Sequence, residues 1–336
     1  MKKGFFLIAG VICSLFYYSC RLRSEGKPDN PINPETRADL KLIQDGYSFT
    51  EGPTVDKKGN VFFTDQPNDK IFRWDEQSGD VSLFLEGTGR SNGMAFDRDG
   101  NIIACADMHG ELWKIYPDGT HDVLVDNYNG KLLNGPNDVW INPKTGGIYI
   151  TDPMFPRPYW EASDPRTANS WPPTHSEQGS GIAGHVYYLA PGSSSLVRVT
   201  PEDGIWSPDD SFPNGVVGTP DGKKLYVNRW TGDNMGGTFV FDINSDGTLS
   251  NIEKFVDMGG DGMSMDELGN VYISNGFGVV AFNKEGQEVL RVDTGGGATN
   301  NVFAGRNEKI LFITGPRDRV QSVKMNVKGV EKFKHN

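Results

Sequence analysis

The sequence predicts an all-β protein, a six-bladed β-propeller of four-stranded antiparallel blades. Two observations lead to this prediction, a repeated two-strand unit and its spacing. The unit is clearest at DGMSMDELGNVYIS (261–274), where a short alternating strand and a tight turn precede a strand rich in β-branched and aromatic residues, as in a β-hairpin. Six units begin 41, 45, 77, 47 and 40 residues apart, at Glu51, Asn92, Asn137, Asn214, Asp261 and Asn301. A period of about 40–50 residues with several short strands is typical of β-propellers.

The chain starts with a predicted export signal. Lys2 and Lys3 precede an apolar run, 4–18, that is too short to span a bilayer, and Ser19-Cys20 resembles a lipoprotein processing site. Residues 1–20 are therefore predicted to be a lipoprotein-type signal peptide with lipid on Cys20, and secretion without lipid is the alternative. We expect an exported protein, either a lipoprotein of the periplasm or outer membrane or a secreted one, which contacts a membrane only through its lipid anchor.

The next segment, 21–36, contains three prolines and mixed charge, which predicts a flexible tether. The range 37–330 is predicted to be a single propeller domain, because propellers exceed the usual domain size. A formal net charge of −11 argues against nucleic acid as a partner. Of the three cysteines, Cys13 lies in the signal, Cys20 is the lipidation site and Cys105 is expected to be an inert core residue, so no disulfide is predicted.

The first strand of each unit is expected to be the innermost strand of its blade, so the residue before it lies at one mouth of the central channel. All six such residues carry a side-chain oxygen, and only Glu51 and Asp261 are carboxylates. Alternatively, Asn-Gly and Asp-Gly simply form turns between blades, although this does not explain Glu51 before Gly52-Pro53. Two carboxylates with several amide oxygens suit one hard divalent cation, most naturally calcium; magnesium and manganese are alternatives, and zinc fits less well.

One long segment, 153–184, follows the second strand of the third unit and is therefore expected to lie over the same mouth. It is rich in proline and aromatic residues, and such long loops often act as lids or binding loops. A surface decoration that packs its own side chains is the alternative. The last predicted strand, 320–325, can pair with a strand from 40–49, which would close the ring and remove two exposed edges.

Five groups of motifs occur in order along the chain: EGP at 51–53, LNGPNDV at 133–139, YITDP at 149–153, FPNG at 212–215 with PDGKKLYV at 220–227, and DGM at 261–263 with GNVY at 269–272. Together they resemble the gluconolactonase family that includes regucalcin, the senescence marker protein, over roughly residues 45–315. The resemblance implies a six-bladed propeller with one divalent metal at the channel mouth. It also implies hydrolysis of sugar lactones or related esters.

The resemblance implies roles for individual residues as well. Glu51, Asn214 and Asp261 would be metal ligands, and Asn137 would lie at both the metal and the substrate. The metal would polarise the lactone carbonyl while Asp261, as general base, takes a proton from the attacking water. Further candidate substrate contacts around the mouth are Asn92, Asn301, His109 and Asp152. As a lone histidine, His109 also has a purely structural interpretation.

One departure from the family is Gly135, because some members have an arginine two residues before the substrate-binding asparagine. The insertion 153–184 is an alternative source of substrate recognition. The sequence contains no phosphate loop and no His-Glu-x-x-His motif. Two other functions stay open: an ester or organophosphate hydrolase on the same scaffold, and a non-catalytic surface-attached module that binds a sugar or a protein.

Overall fold

The computed structural model describes residues 40–153, 155, 157, 184–200, 212–230, 236–315 and 318–330. The predicted signal peptide with Cys20, the tether and most of the insertion lie outside the described residues, and their roles stay predictions. Within the described ranges, no helix combines the length and apolar character needed to cross a bilayer. Regular structure in these ranges consists of strands, apart from one turn of 3-10 helix at Gln66–Asn68.

The strands form six four-stranded antiparallel sheets, which confirms the predicted six-bladed propeller. The first two blades consist of β2 (Thr50–Val55), β3 (Val61–Asp65), β4 (Lys70–Trp74) and β5 (Val81–Glu86), then β6 (Ser91–Phe96), β7 (Ile102–Ala106), β8 (Glu111–Ile115) and β9 (His121–Val125). The next two consist of β10 (Val139–Ile141), β11 (Ile148–Asp152), β12 (His185–Leu189) and β13 (Leu196–Arg198), then β14 (Phe212–Gly218), β15 (Lys224–Trp230), β16 (Thr238–Ile243) and β17 (Leu249–Val256). The last two consist of β18 (Met263–Met265), β19 (Val271–Asn275), β20 (Gly278–Phe282) and β21 (Glu288–Asp293), then β22 (Asn300–Ala304), β23 (Ile310–Thr314), β24 (Arg319–Lys324) and β1 (Lys41–Asp45).

The innermost strands of neighbouring blades contact one another around a central channel, and β22 of the sixth blade contacts β2 of the first. The ring closes within the sixth blade, where β1 pairs antiparallel with β24, for example at Lys41 and Ser322. This confirms the predicted pairing of the last strand with the N-terminal segment. The pairing covers two sheet edges that would otherwise be open to other chains.

Turns between the first and second strands of several blades share one side-chain arrangement. In the first blade, the Asp56 carboxylate accepts hydrogen bonds from the backbone N–H groups of Lys58 and Asn60 at 2.8 and 2.9 Å, and from the Asn60 amide at 2.9 Å. Because the aspartate carboxylate accepts hydrogen bonds from the backbone N–H groups of the turn, it stabilises the reversal of the chain locally. The same arrangement recurs in the second and fifth blades, at Asp97 with Asn101 and at Asp266 with Asn270.

Apolar cores fill the space between adjacent blades. Phe63 of the first blade lies 5.7 Å from Phe312 of the sixth, measured between ring centroids, and Cys105 is fully buried, as expected. The innermost strands enclose a cavity of about 110 Å³, lined by apolar side chains together with Thr54, Asp138, Asn300 and Asn301. The blades thus surround a channel whose wall carries both apolar and polar groups.

Candidate functional site

The mouth of the channel, where the innermost strands begin, is built on hydrogen bonds between blades. Gly215 N–H donates to the Asp261 carbonyl at 3.1 Å, and Gly93 N–H donates to the Asn137 carbonyl at 2.6 Å. A Cβ atom on Gly215 would lie only 2.1 Å from the Asp261 carbonyl oxygen. This glycine is therefore required by the close approach of two blades. The alternative in which Asn-Gly merely marks a turn does not account for that contact.

Glu51 lies at the mouth end of the first blade with 4% of its surface exposed. Its Oε2 atom accepts hydrogen bonds from Gly52 N–H at 2.7 Å and from Asn300 Nδ2 at 3.0 Å. Burial, followed by the negative charge of Asp261, raises the pKa of Glu51 well above its usual range. The protein thus holds this carboxylate in a fixed orientation but stabilises its charge only in part.

Asp261 lies at the equivalent position of the fifth blade and keeps partial exposure to solvent. Its side chain is hydrogen-bonded to Asn214 and Glu51, which brings three of the predicted metal ligands into contact. Burial, followed by the charge of Asp138, raises the pKa of Asp261 to about 7. Its backbone carbonyl also accepts a hydrogen bond from Asn228 Nδ2 at 2.7 Å, which holds the start of the fifth blade.

A third carboxylate, Asp138, was missed by the sequence analysis because it occupies the position that glycine takes in four of the other units. It accepts hydrogen bonds from Val139 N–H at 2.9 Å and from Val216 N–H at 3.2 Å. Burial raises the pKa of Asp138 to about 7. Three neighbouring carboxyl groups with raised pKa values create a strongly electronegative mouth, which favours the binding of either protons or a cation.

The donor set at the mouth fits a hard divalent cation. Glu51 and Asp261 supply two carboxylates and Asn214 an amide oxygen, and these are ligand types that calcium prefers. Across the described part of the chain, no group of three or more His, Cys, Asp or Glu side chains is arranged to hold a metal. A metal at the mouth would therefore depend on amide oxygens and water in addition to the two carboxylates, and a zinc site with nitrogen and sulfur ligands does not fit.

Asn137 and Asp152 belong to one buried unit in the third blade. The backbone N–H of Asn137 donates to the Thr151 carbonyl at 2.8 Å. The Asp152 carboxylate accepts hydrogen bonds from Asn134 N–H at 3.0 Å and Gly135 N–H at 2.9 Å. Asp152 is completely buried, and its hydrogen bonds hold the loop that carries Asn137. Its predicted contact with substrate, like that of Asn137, stays a prediction.

The remaining predicted substrate residues occupy different depths. Asn92 is buried near the start of β6, and its backbone carbonyl accepts a hydrogen bond from the Thr64 hydroxyl at 3.5 Å. Asn301 is also buried, and its amide is hydrogen-bonded to the Ser264 and Ser274 hydroxyls between the fifth and sixth blades. His109 is exposed and stacks on Trp113, with ring centroids 5.6 Å apart.

The sixth blade differs in register from the prediction. Gly262 N–H donates to the Thr299 carbonyl at 2.7 Å, which makes Thr299 the counterpart of Asp261 and Asn137. Asn301, which the sequence analysis had placed in the ring, lies two residues farther along, and its neighbour Asn300 contacts Glu51. The sixth unit lacks the glycine that marks this position in four of the other units. Its register is therefore visible only in the hydrogen bond between Gly262 and Thr299.

Two further residues at the mouth were not identified from sequence. Arg157, from the described part of the insertion, forms an ion pair with Asp107, its Nη2 lying 3.1 Å from Oδ2. Asp107 is fully buried and also accepts a hydrogen bond from Gln66 Nε2 at 2.7 Å. The charge of Arg157 lowers the pKa of Asp261, so the two groups are near enough for their charges to interact. The long insertion was the only sequence signal for this cation.

Comparisons with known proteins agree with the fold and the motifs. A family model described as the SMP-30/gluconolactonase/LRE-like region matches residues 49–317. The chain is 29% identical over 311 residues to a gluconolactonase from Zymomonas mobilis, covering 84% of this chain and 80% of that protein.

Two solved structures extend the similarity. A gluconolactonase from Xanthomonas campestris superimposes with a TM-score of 0.70 at 26% identity, covering 88% of this chain and 94% of that one. Regucalcin from Agrobacterium tumefaciens, a calcium-binding protein, superimposes with a TM-score of 0.66 at 17% identity, covering 86% and 94%, and at that identity it shows the shared fold alone. Because the family model spans most of the propeller, this chain belongs to the SMP-30/gluconolactonase/LRE-like family.

Proposed function

We propose that this protein hydrolyses a lactone, most naturally one derived from a sugar, at the channel mouth. The observation that carries the proposal is the contact of Glu51, Asp261 and Asn214 at the start of three inner strands. Gluconolactonase similarity over most of the chain supports the reaction class. The same residues would be expected for another ester hydrolase on this scaffold, so the substrate panel below includes simple esters.

We further propose that Glu51, Asp261 and Asn214 hold one divalent cation, with Asn137 beside it. Two close carboxylates with raised pKa values are more stable when a cation compensates their charge, which supports this assignment. Calcium is the preferred candidate because the donors are all oxygen, and the relative from Agrobacterium tumefaciens is a calcium-binding protein. When bound, such a cation would polarise the lactone carbonyl and stabilise negative charge on its oxygen.

Residues of the chain itself would transfer the proton and orient the substrate. Asp261, which keeps access to solvent, would accept a proton from the attacking water. Glu51 is held by Gly52 and Asn300 and would keep its position through the reaction. The buried Asp152 would fix the loop that carries Asn137, so that the Asn137 amide can orient the substrate without rearrangement.

Proton release from a panel of aldonolactones, simple lactones and aryl esters tests the proposal. The protein is treated with chelator and then resupplied with calcium, magnesium, manganese or zinc. We expect lactone turnover that chelation abolishes and calcium restores best. Turnover of lactones that is insensitive to chelation would contradict the role of the metal. Absence of lactone turnover with every metal would contradict the reaction itself.

We also propose that the protein is exported and anchored through lipid on Cys20. The apolar run 4–18 followed by Ser19-Cys20 supports this proposal. Labelling of expressing bacteria with radioactive palmitate is expected to mark the wild-type protein in the membrane fraction and to leave Cys20→Ala unlabelled. An unlabelled wild-type protein in the soluble exported fraction would instead support secretion without an anchor.

A further inference from the structure

Arg157 brings positive charge to a mouth that is otherwise lined by acceptors. The carboxylates of Glu51, Asp138 and Asp261 lie near enough to one another to interact, and the Asp107 carboxylate pairs with Arg157 at 3.1 Å. Arg157 is held from the other side by Phe155, whose ring centroid lies 5.6 Å from the guanidinium carbon. A guanidinium that is fixed by an ion pair and an aromatic ring loses little freedom when it binds a ligand.

Phe155 is itself fixed to the fourth blade. Its ring stacks on Phe212 at 5.3 Å with an interplanar angle of 14° and meets the edge of Trp230 at 5.4 Å. The insertion therefore connects two blades at the mouth. Phe155 packs against the fourth blade, and Arg157 pairs with Asp107 of the second. Arg157 is positioned from both ends, as a residue that recognises a ligand must be.

The space beside Asp107 also excludes any side chain at position 135. Gly135 has a φ of +151°, and a Cβ atom there would lie 2.1 Å from Asp107 Oδ1. The Asp107 carboxylate thus fills the volume next to the loop that carries Asn137. The guanidinium that pairs with it belongs to Arg157 of the insertion. Because Asp107 has no exposed surface, its role is to orient the guanidinium, and the partly exposed Arg157 offers N–H donors that a hydroxyl oxygen can accept.

We propose that Arg157, oriented by the buried Asp107, recognises the ring hydroxyl groups of a neutral, polyhydroxylated lactone and is the specificity determinant of the reaction. The inference rests on the proposed lactone hydrolysis. An anionic lactone is disfavoured, because Arg157 is already neutralised by Asp107 and the rest of the mouth is acidic. A lactone without hydroxyl groups gives the Arg157 guanidinium no hydrogen-bond acceptor in their place. Sites built to bind a hydroxyl discriminate strongly against substrates that lack it.

The test compares glucono-1,5-lactone, the hydroxyl-free δ-valerolactone and the carboxylate-bearing glucaro-1,4-lactone in wild type and Arg157→Ala. We expect wild type to prefer the neutral hydroxylated lactone. In the variant, KM for glucono-1,5-lactone should rise about 10- to 100-fold, the range for losing hydrogen bonds to a charged group, while kcat/KM for δ-valerolactone changes less than about twofold. Arg157→Lys should restore part of the loss, since it keeps the charge without the planar fork.

Arg291→Ala is the matched control. Arg291 also pairs with a carboxylate, Glu288 at 2.8 Å, and also lies over a phenylalanine ring, Phe277 at 5.6 Å, but on the outer strand of the fifth blade. The Arg291→Ala variant should keep the wild-type KM and kcat/KM for all three lactones. If Arg157→Ala lowers kcat/KM equally for glucono-1,5-lactone and δ-valerolactone, the role of Arg157 is structural and the proposal is overturned. A wild-type preference for glucaro-1,4-lactone would overturn the assignment of a neutral substrate. If wild type hydrolyses no lactone at all, lactone hydrolysis itself fails, and the inference fails with it.

Discussion

Replacing Asp261 with asparagine should stabilise the metal-free protein at alkaline pH while removing its response to calcium. Asparagine keeps the size and the hydrogen bonds of the side chain but cannot ionise. In the wild type, burial raises the pKa of Asp261 from 3.8 to about 7. Between these values the folded state binds more protons than the unfolded state, so the metal-free protein loses stability as the pH rises through this window.

The size of the effect follows from the same pKa values. A pKa difference of about 3, at about 1.4 kcal/mol for each pKa unit, corresponds to about 4 kcal/mol at pH 8. Water reaches Asp261 at the mouth and screens its charge, so this is an upper bound. Well below pH 3.8 the carboxyl is protonated in both states, and wild type and Asp261→Asn should be equally stable.

Urea denaturation at pH 5 and pH 8, with chelator or with calcium, measures both effects. With chelator at pH 8, Asp261→Asn should unfold at higher urea than wild type, and the difference should shrink at pH 5. Calcium at 100 times its dissociation constant should stabilise wild type by about 2.7 kcal/mol and the variant far less. Asp257→Asn is the control, because Asp257 is 86% exposed and pairs only at the surface with Lys254. An Asp261→Asn protein that is less stable than wild type in chelator, and equally stabilised by calcium, would refute the reasoning.

Three further predictions concern the same mouth. Calcium affinity measured by calorimetry should weaken as the pH falls from 8 to 6, through the pKa of about 7 of Asp261, because protons compete for the carboxylates; a constant affinity would contradict this. Gly215→Ala places a methyl group 2.1 Å from the Asp261 carbonyl oxygen, and the resulting shift should cost about 1–3 kcal/mol in denaturation and lower lactone turnover. Asp152→Ala leaves two buried N–H groups without their acceptor, so we expect a loss of about 1–3 kcal/mol for each and a higher KM. Wild-type stability in either variant would show that these contacts are dispensable.

The blades and the meeting of Glu51 with Asp261 were predictable because their signals are local and repeated. Each Asp or Asn that begins a hairpin turn satisfies its own backbone, so a pattern such as Asp266 with Asn270 identifies a hairpin without knowledge of the fold. Glu51 and Asp261 begin inner strands, and any propeller brings the starts of inner strands together. Their contact therefore followed from the repeat alone.

Features that depend on contacts between blades were not predictable in the same way. Asn301 was assigned to the ring from its place in the repeat, whereas the Gly262–Thr299 hydrogen bond sets the register of the sixth blade two residues earlier. Asp138 stands where other units have glycine, and its contact with Val216 N–H exists only once the third and fourth blades pack together. Arg157 comes from an insertion that follows no repeat, so only its ion pair with Asp107 reveals its position.

The closing strand also determines at which face of the propeller the described chain begins. In the sixth blade, β24 leaves the mouth at Arg319, which pairs with Asp45, and runs towards the opposite face. Its partner β1 runs the other way, so the chain enters at the opposite face, near the pair of Lys41 and Ser322. The lipid anchor proposed above would therefore join the propeller at the face opposite the mouth, and the anchored end of the described chain leaves the mouth uncovered.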